Sequence, residues 1–230
     1  MFKNLILFFA VGLFPVLSGV ASVSQKDLSV SQDGKKAESF IQDLGNKGIK
    51  TLTGKELSET ERRKRFEELF VKAFDYERIG KFVLGRFRRQ VSADDMKEYL
   101  SLFKDMVVRV YAARFGEYNQ ETFKVESSRV VDKKIDTMIV SSKIIRPNDS
   151  KIALEWHMYA TKVGDFKIFD VVVEGVSMAL TQRSEFSAIL QQGGIKKLIE
   201  NLKTKKNKPQ KKIVEASASS ASKSSTSRRK

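Results

Sequence analysis

The 230-residue sequence predicts an α+β fold in which helices pack on one side of a curled, largely antiparallel sheet. Residues 37 to 118 place apolar side chains at the three- and four-residue spacing of amphipathic helices. Residues 123 to 173 change to the two-residue alternation of strands, and residues 183 to 202 return to the helical spacing. This order is typical of helices gathered on one face of an antiparallel sheet.

The first helices have clear local signals. The apolar pattern predicts a helix from Ala37 to Leu52. Ser58 and Glu61 form a capping box, which predicts a second helix that runs on to about Gly85. The apolar face of that second helix consists of Phe66, Leu69, Phe70, Ala73, Ile79, Phe82 and Val83.

A third helix is predicted from Ser92, an N-cap residue followed by acids, to about Phe115. Its apolar face is broader than a single helix contact requires. The face contains Met96, Tyr99, Leu100, Phe103, Met106, Val107, Val110 and Tyr111. A last helix is predicted from Arg183 to Leu202, interrupted at Gly193-Gly194.

Between these helices the alternation of apolar and polar residues predicts an antiparallel meander. Turn residues at 147–150 and 162–165 separate its later strands. The predicted strands are 123–126, 129–131, 135–144, 152–159 and 166–173.

The two ends of the chain differ in composition from the predicted helices and strands between them. Residues 1–21 combine Lys3, an apolar stretch and a small-residue cleavage site, which predicts a secretory signal peptide. A retained transmembrane anchor is the alternative, but the 13-residue apolar stretch from Leu5 to Leu17 falls short of the roughly 20 residues that a span needs. Residues 22–36 are polar and Ser-rich and are predicted to be a flexible lead-in to a domain at 37–202. Residues 203–230 carry ten Lys or Arg and one acid and predict a basic, disordered tail. An exported protein that has no cysteine, and therefore no disulfide, is compatible with a bacterial periplasm.

Most enzyme chemistries are disfavoured by composition. The chain has no cysteine and one histidine, so thiolate or His-rich metal sites are excluded, and we expect no metal and no cofactor. His157 is predicted to be an ordinary strand residue. Asp170, Glu174 and Ser177 invite a hydrolase hypothesis, but no nucleophile-elbow motif surrounds Ser177. Structural roles in the turn before the last helix are favoured, and we expect no enzymatic activity.

Basic residues raise a separate question. The net charge is +15, of which the tail supplies nine and Lys3 one, so residues 22–202 are only moderately basic. Arg78, Arg86, Arg88 and Arg89 are either a solvated helix end or a ring of cations that attracts phosphate headgroups or an anionic bilayer. The predicted export argues against a nucleic-acid partner.

The abundant apolar side chains also allow two interpretations. Val171-Val172-Val173 is apolar on both sides of its predicted strand, and the chain has 16 phenylalanines. A domain of this size could use them to line a cavity for an apolar ligand, or simply to fill its core. Composition does not separate these alternatives.

Several motifs resemble one known family. They are Y-E-R-I-G-K-F-V-L-G-R (76–86), S-x-x-x-M-K-E-Y-L-x-x-F (92–103), V-Y-A-A-R-F-G-E-Y (110–118), G-D-F-K-I-F-D-V-V-V-E-G-V-S-M (164–178), R-S-E-F (183–186) and G-G-I-K-K-L-I-E-N-L (193–202). Together, over roughly residues 37 to 203, they resemble the MlaC family of periplasmic phospholipid-binding proteins, also called toluene-tolerance proteins. The resemblance implies helices wrapped around a curled, largely antiparallel or mixed sheet that encloses an apolar pocket.

The resemblance also implies a function. Such a protein would be a monomer that carries a glycerophospholipid between an inner-membrane Mla ABC transporter complex and an outer-membrane Mla lipoprotein complex, thereby maintaining outer-membrane lipid asymmetry. The alternative hypothesis is a secreted, non-enzymatic interaction module whose basic tail binds acidic surfaces. We expect the acyl chains to contact Ile79, Phe82, Val83, Phe103, Val107, Val110, Tyr111, Ile139, Trp156, Met158, Val171, Val173 and Met178.

Overall fold

Helices flank an open, antiparallel sheet in the computed structural model, which describes residues 25–54, 56–118, 120–132 and 137–206. The predicted α+β class is therefore confirmed. The helices are α1 (Gln25–Leu52), α2 (Glu59–Ala73), α3 (Tyr76–Val83), α4 (Ala93–Arg114) and α5 (Met178–Lys206), with 3-10 turns at Gly85–Gln90 and Phe115–Glu117. The strands are β1 (Thr122–Asp132), β2 (Thr137–Ile145), β3 (Lys151–Ala160), β4 (Phe166–Val173) and β5 (Val176–Ser177).

The predicted domain ends differ from the observed helices. The predicted signal peptide and residues 207–230 of the predicted tail lie outside the described residues. α5 continues to Lys206, and Lys203 pairs with Glu98 at 2.5 Å, so residues 203–206 are part of the folded domain. Among the helices that the structure describes, none is both long and apolar enough to cross a membrane.

α1 begins at Gln25, so residues 25–36 of the predicted flexible lead-in are helical. The cause is a tertiary contact that the polar sequence does not reveal. Gly34 is buried, and a Cβ there would lie 2.7 Å from Ser128 Oγ on β1. The Ser128 hydroxyl in turn donates a 2.8 Å hydrogen bond to Glu38. Close packing on β1 therefore stabilises this part of α1 although its sequence is polar.

The helix predicted from Ser58 to Gly85 is two helices. Ser58 caps α2 as expected, accepting a hydrogen bond from the Glu61 backbone N–H. The chain then becomes extended at Phe74, and the Asp75 N–H donates to the Ile168 carbonyl on β4 at 2.8 Å. The Asp75 side chain caps α3. Because this short link bonds to the sheet edge, the helix cannot continue through it.

The sheet is a simple meander in the order β1-β2-β3-β4-β5 with every neighbouring pair antiparallel, as predicted. The two strands predicted at 123–126 and 129–131 form the single strand β1, with a bulge between Val125 and Ser127. β5 was not predicted. It forms because Glu174 and Gly175 both have positive φ angles, 49° and 77°, which is the geometry of a tight hairpin turn.

Buried apolar residues form two clusters. The helical core joins α3, α4 and α5 and contains Val83, Leu84, Tyr99, Phe103, Phe186, Leu190, Leu198, Ile199 and Leu202. The sheet core lies between α1, the end of α2 and one face of the sheet and contains Ala37, Ile41, Ala73, Met138, Val140, Met158, Phe166 and Ile168. A single domain usually has one continuous main core, so the division is informative.

Candidate functional site

The predicted site residues on the helices divide by burial. Val83 and Phe103 are interior members of the helical core, with 0% and 2% exposure. Ile79 and Val107 are half-buried and pack against the edge of that core. The Tyr99 hydroxyl donates a 3.0 Å hydrogen bond to the Gly80 carbonyl, which fixes α3 against α4. On α3 and α4, half-buried apolar residues such as Ile79 and Val107 therefore lie along the edge of the fully buried helical core.

The predicted residues on the strands behave in the same way. Met158 is fully buried in the sheet core, whereas Trp156 and Val171 are half-buried and pack against its edge. The strand register pairs Trp156 with Val171 and Leu154 with Val173, so these side chains share one face. The Trp156 indole N–H donates to Ser142 Oγ at 2.8 Å, which orients the ring. The sheet core thus also has a half-buried apolar margin.

The remaining predicted helix residues are more exposed. Phe82 and Tyr111 keep 39% and 37% of their surface accessible, and Val110 and Met178 are half-buried. Sequence reasoning missed two further exposed apolar residues, Val176 and Leu180. We call these four exposed residues the apolar rim. They lie on α5 and on three elements that contact it, and they are Phe82 on α3, Tyr111 on α4, Val176 on β5 and Leu180 on α5.

Tyr111 adds neutral surface to this rim. Although 37% of the Tyr111 surface stays accessible, desolvation of the phenol by the atoms packed around it raises its pKa; Glu185 and Asp170 act in the same direction, and Arg114 opposes them. The ordinary tyrosine pKa of about 10 already lies above physiological pH, so the hydroxyl is uncharged there.

Ile139 does not belong with the other strand residues. It lies opposite His157 and Arg129 in the register, on the face of the sheet away from Trp156 and Met158. Strand alternation accounts for this, because Met138 and Val140 occupy the core face on either side of it. Ile139 is nonetheless 95% buried on that face.

The three residues of the hydrolase hypothesis, Asp170, Glu174 and Ser177, instead make structural hydrogen bonds. The Ser177 hydroxyl donates to Asp170 at 2.5 Å and accepts from the Leu180 N–H at 3.1 Å, while Asp170 also accepts from the Ala179 N–H. Both side chains therefore cap the start of α5, which explains why that helix begins at Met178 and not at Arg183. The Glu174 carboxylate accepts from the Ala153 N–H instead of joining them.

Other features lie away from these residues. A surface hollow of about 500 Å³ is lined by Asp94, Glu98 and neighbouring residues of α4. A second, of about 300 Å³, lies between the 3-10 turn at Gly85–Gln90 and the α5 kink. Neither contains a predicted site residue. Within the described ranges, no three His, Cys, Asp or Glu residues are grouped to hold a metal ion.

Comparisons with known proteins agree with this architecture. The family model described as MlaC protein matches residues 42–204. A curated relative, the intermembrane phospholipid transport system binding protein MlaC of Haemophilus influenzae, is 24% identical over 135 residues, 58% of this chain. That match spans 63% of the relative, less than two thirds of its length.

A solved structure has the same fold. It is a phospholipid-binding protein from Ralstonia solanacearum in complex with a phospholipid, with a TM-score of 0.66 and 18% identity. The superposition covers 74% of this chain and 96% of that one. At this identity the likeness establishes the fold alone, whereas the family model covers most of the present sequence. The chain therefore belongs to the MlaC family.

Proposed function

We propose that the protein is a non-enzymatic carrier that holds the acyl chains of a glycerophospholipid between the helical core and the sheet core. The observation that carries this proposal is the division of the apolar interior into two clusters with half-buried margins. Val107 lies on the margin of one cluster, and Trp156 and Val171 lie on the margin of the other. An apolar guest inserted between such margins would join them into one continuous core.

The energetics suit transport. Two acyl chains contain about 30 methylene groups, so their burial is worth on the order of 20 kcal/mol relative to water at about 0.8 kcal/mol each. In a bilayer the chains are already out of water, and transfer to the protein replaces one apolar environment with another. Exchange between membrane and carrier is therefore nearly balanced, which permits both loading and release.

The family relatives support the same substrate class. The Haemophilus protein is named for intermembrane phospholipid transport, and the Ralstonia protein was solved with a phospholipid. We propose that the present protein acts as a monomer in the periplasm, where it moves phospholipid between an inner-membrane Mla ABC transporter complex and an outer-membrane Mla lipoprotein complex. Outer-membrane lipid asymmetry would be maintained by that exchange.

A transfer assay tests the proposal. The mature protein, freed of lipid, is incubated with donor vesicles that contain a fluorescent phospholipid and then with unlabelled acceptor vesicles. We expect transfer whose rate increases with protein concentration. A folded, lipid-free protein that neither removes label from the donor nor delivers it to the acceptor would overturn the carrier function.

A further inference from the structure

The guanidinium of Arg183 occupies an unusual place beside the apolar rim. Arg183 is half-buried on the first turns of α5. Its Nε lies 3.0 Å, and one terminal nitrogen 3.2 Å, from the position that a Cβ on Gly85 would take. Gly85 also has a φ of +56°, which side chains other than glycine rarely adopt. The bare backbone at Gly85 therefore makes the space in which this cation lies.

No carboxylate within the described residues pairs with Arg183, although other cations of the same helix are paired. Lys196 contacts Asp95 at 2.6 Å, and Lys203 contacts Glu98 at 2.5 Å. The acids near the start of α5 are used elsewhere. Asp170 caps the helix, and Glu185 accepts from Gln182 at 3.1 Å.

The surroundings of this unpaired cation are apolar. Its guanidinium carbon lies 5.2 Å from the ring centroid of Phe82, within the range of a cation–π contact. Phe82 is 39% exposed, and Leu180, one turn before Arg183, is 55% exposed. The positive charge is thus held where the apolar rim meets solvent.

We propose that Arg183 binds the phosphate of the phospholipid whose acyl chains lie between the two cores. An amphiphile with an anionic phosphate next to its acyl chains matches a cation set beside an apolar rim. The planar guanidinium can donate two parallel hydrogen bonds to phosphate oxygens, which an ammonium group cannot do in the same fixed geometry. This inference rests on the proposed carrier function and assigns the residue that recognises the headgroup.

The test compares two lipids with identical chains, phosphatidylglycerol and diacylglycerol, each fluorescently labelled and titrated into lipid-free mature protein. Charge-assisted hydrogen bonds contribute enough for roughly tenfold tighter binding of the lipid that carries phosphate. We expect Arg183→Gln to remove this preference by weakening phosphatidylglycerol binding about tenfold while diacylglycerol binding stays unchanged. Arg183→Lys should restore part of the preference.

Two further variants separate phosphate recognition by Arg183 from the general effect of removing one positive charge. Arg146→Gln removes the same charge from an exposed position in the turn after β2 and should leave both affinities unchanged. Gly85→Ala keeps the charge but places a methyl group where the guanidinium lies, so it should reduce the phosphate preference selectively. Circular dichroism of each variant verifies folding.

Several results would overturn the inference. Equal losses for both lipids in Arg183→Gln would assign a structural role to the residue, and unchanged affinities would assign it none. Binding of glycerol 3-phosphate alone with the affinity of the lipid would indicate a site for free phosphate esters. If the wild type binds neither lipid, both the carrier function and the role of Arg183 are refuted. If the wild type binds both lipids equally, only the role of Arg183 is refuted.

Discussion

Substitution of Val107 by Trp tests whether the margin of the helical core is a lipid surface. Val107 is half-buried on α4 and packs against the edge of the core. The next residue, Val108, is 6% exposed and belongs to the closed interior of the protein. The same substitution at these adjacent positions therefore places a large ring either at the half-buried edge of the helical core or inside packed protein.

The expected magnitudes follow from these positions. Trp adds about seven heavy atoms to the side chain, and if half of them take acyl-chain volume, about four methylenes lose their burial. At about 0.8 kcal/mol each this is ~3 kcal/mol, or roughly hundredfold weaker phospholipid binding. Because Val107 is only half-buried, its replacement should lower the free energy of unfolding of the lipid-free protein by less than about 1 kcal/mol.

Titration with a fluorescent phospholipid measures the first effect, and urea unfolding of the lipid-free protein measures the second. Val108→Trp is the control, for which overpacking should cost at least about 1 to 3 kcal/mol of unfolding free energy. The reasoning would be refuted if Val107→Trp were as destabilised as Val108→Trp and bound lipid normally. Val107 would then be ordinary core.

Three further predictions concern the scaffold and the tail. Tyr99→Phe removes the hydrogen bond to the Gly80 carbonyl and should cost about 1 to 2 kcal/mol of unfolding free energy in urea; no change would mean that this contact does not hold α3. The pKa of Asp95 is lowered chiefly by its hydrogen bond from Lys196, so its contribution to stability should be present above the ordinary aspartate pKa and lost as the pH falls through the lowered value. Asp95→Asn should accordingly lose stability at pH 6 but not at pH 2, and equal losses at both would contradict this assignment. Truncation after Lys206 should leave phospholipid binding intact, and a lipid-binding defect in this variant would make the tail part of the site.

Local signals predicted much of the fold. Ser58 and Ser92 cap α2 and α4 as their sequences indicate, and the kink in α5 falls at Gly193-Gly194. Contacts between distant segments could not be predicted in this way. The break at Phe74 depends on a bond to β4, and the early part of α1 depends on the contact of Gly34 with β1.

The candidate site was predicted less completely for a similar reason. Apolar spacing selects residues that face inward, but it does not separate a closed core residue such as Phe103 from a half-buried one such as Val107. Ile139 was grouped with the inward-facing residues, and only the register shows that it lies on the other face of the sheet from Trp156 and Met158. The R-S-E-F motif drew attention to Arg183 but indicated no role for it, since the space beside Gly85 in which its guanidinium lies depends on the fold.

Lipid extraction is the most direct test of the central claim. The protein is expressed with its N-terminal segment in a bacterium and purified without detergent. Its organic extract is then analysed by quantitative mass spectrometry. The account predicts stoichiometric glycerophospholipid that co-elutes with the folded protein and is strongly reduced in Val107→Trp. A folded protein that elutes without phospholipid and takes up none from vesicles would contradict it.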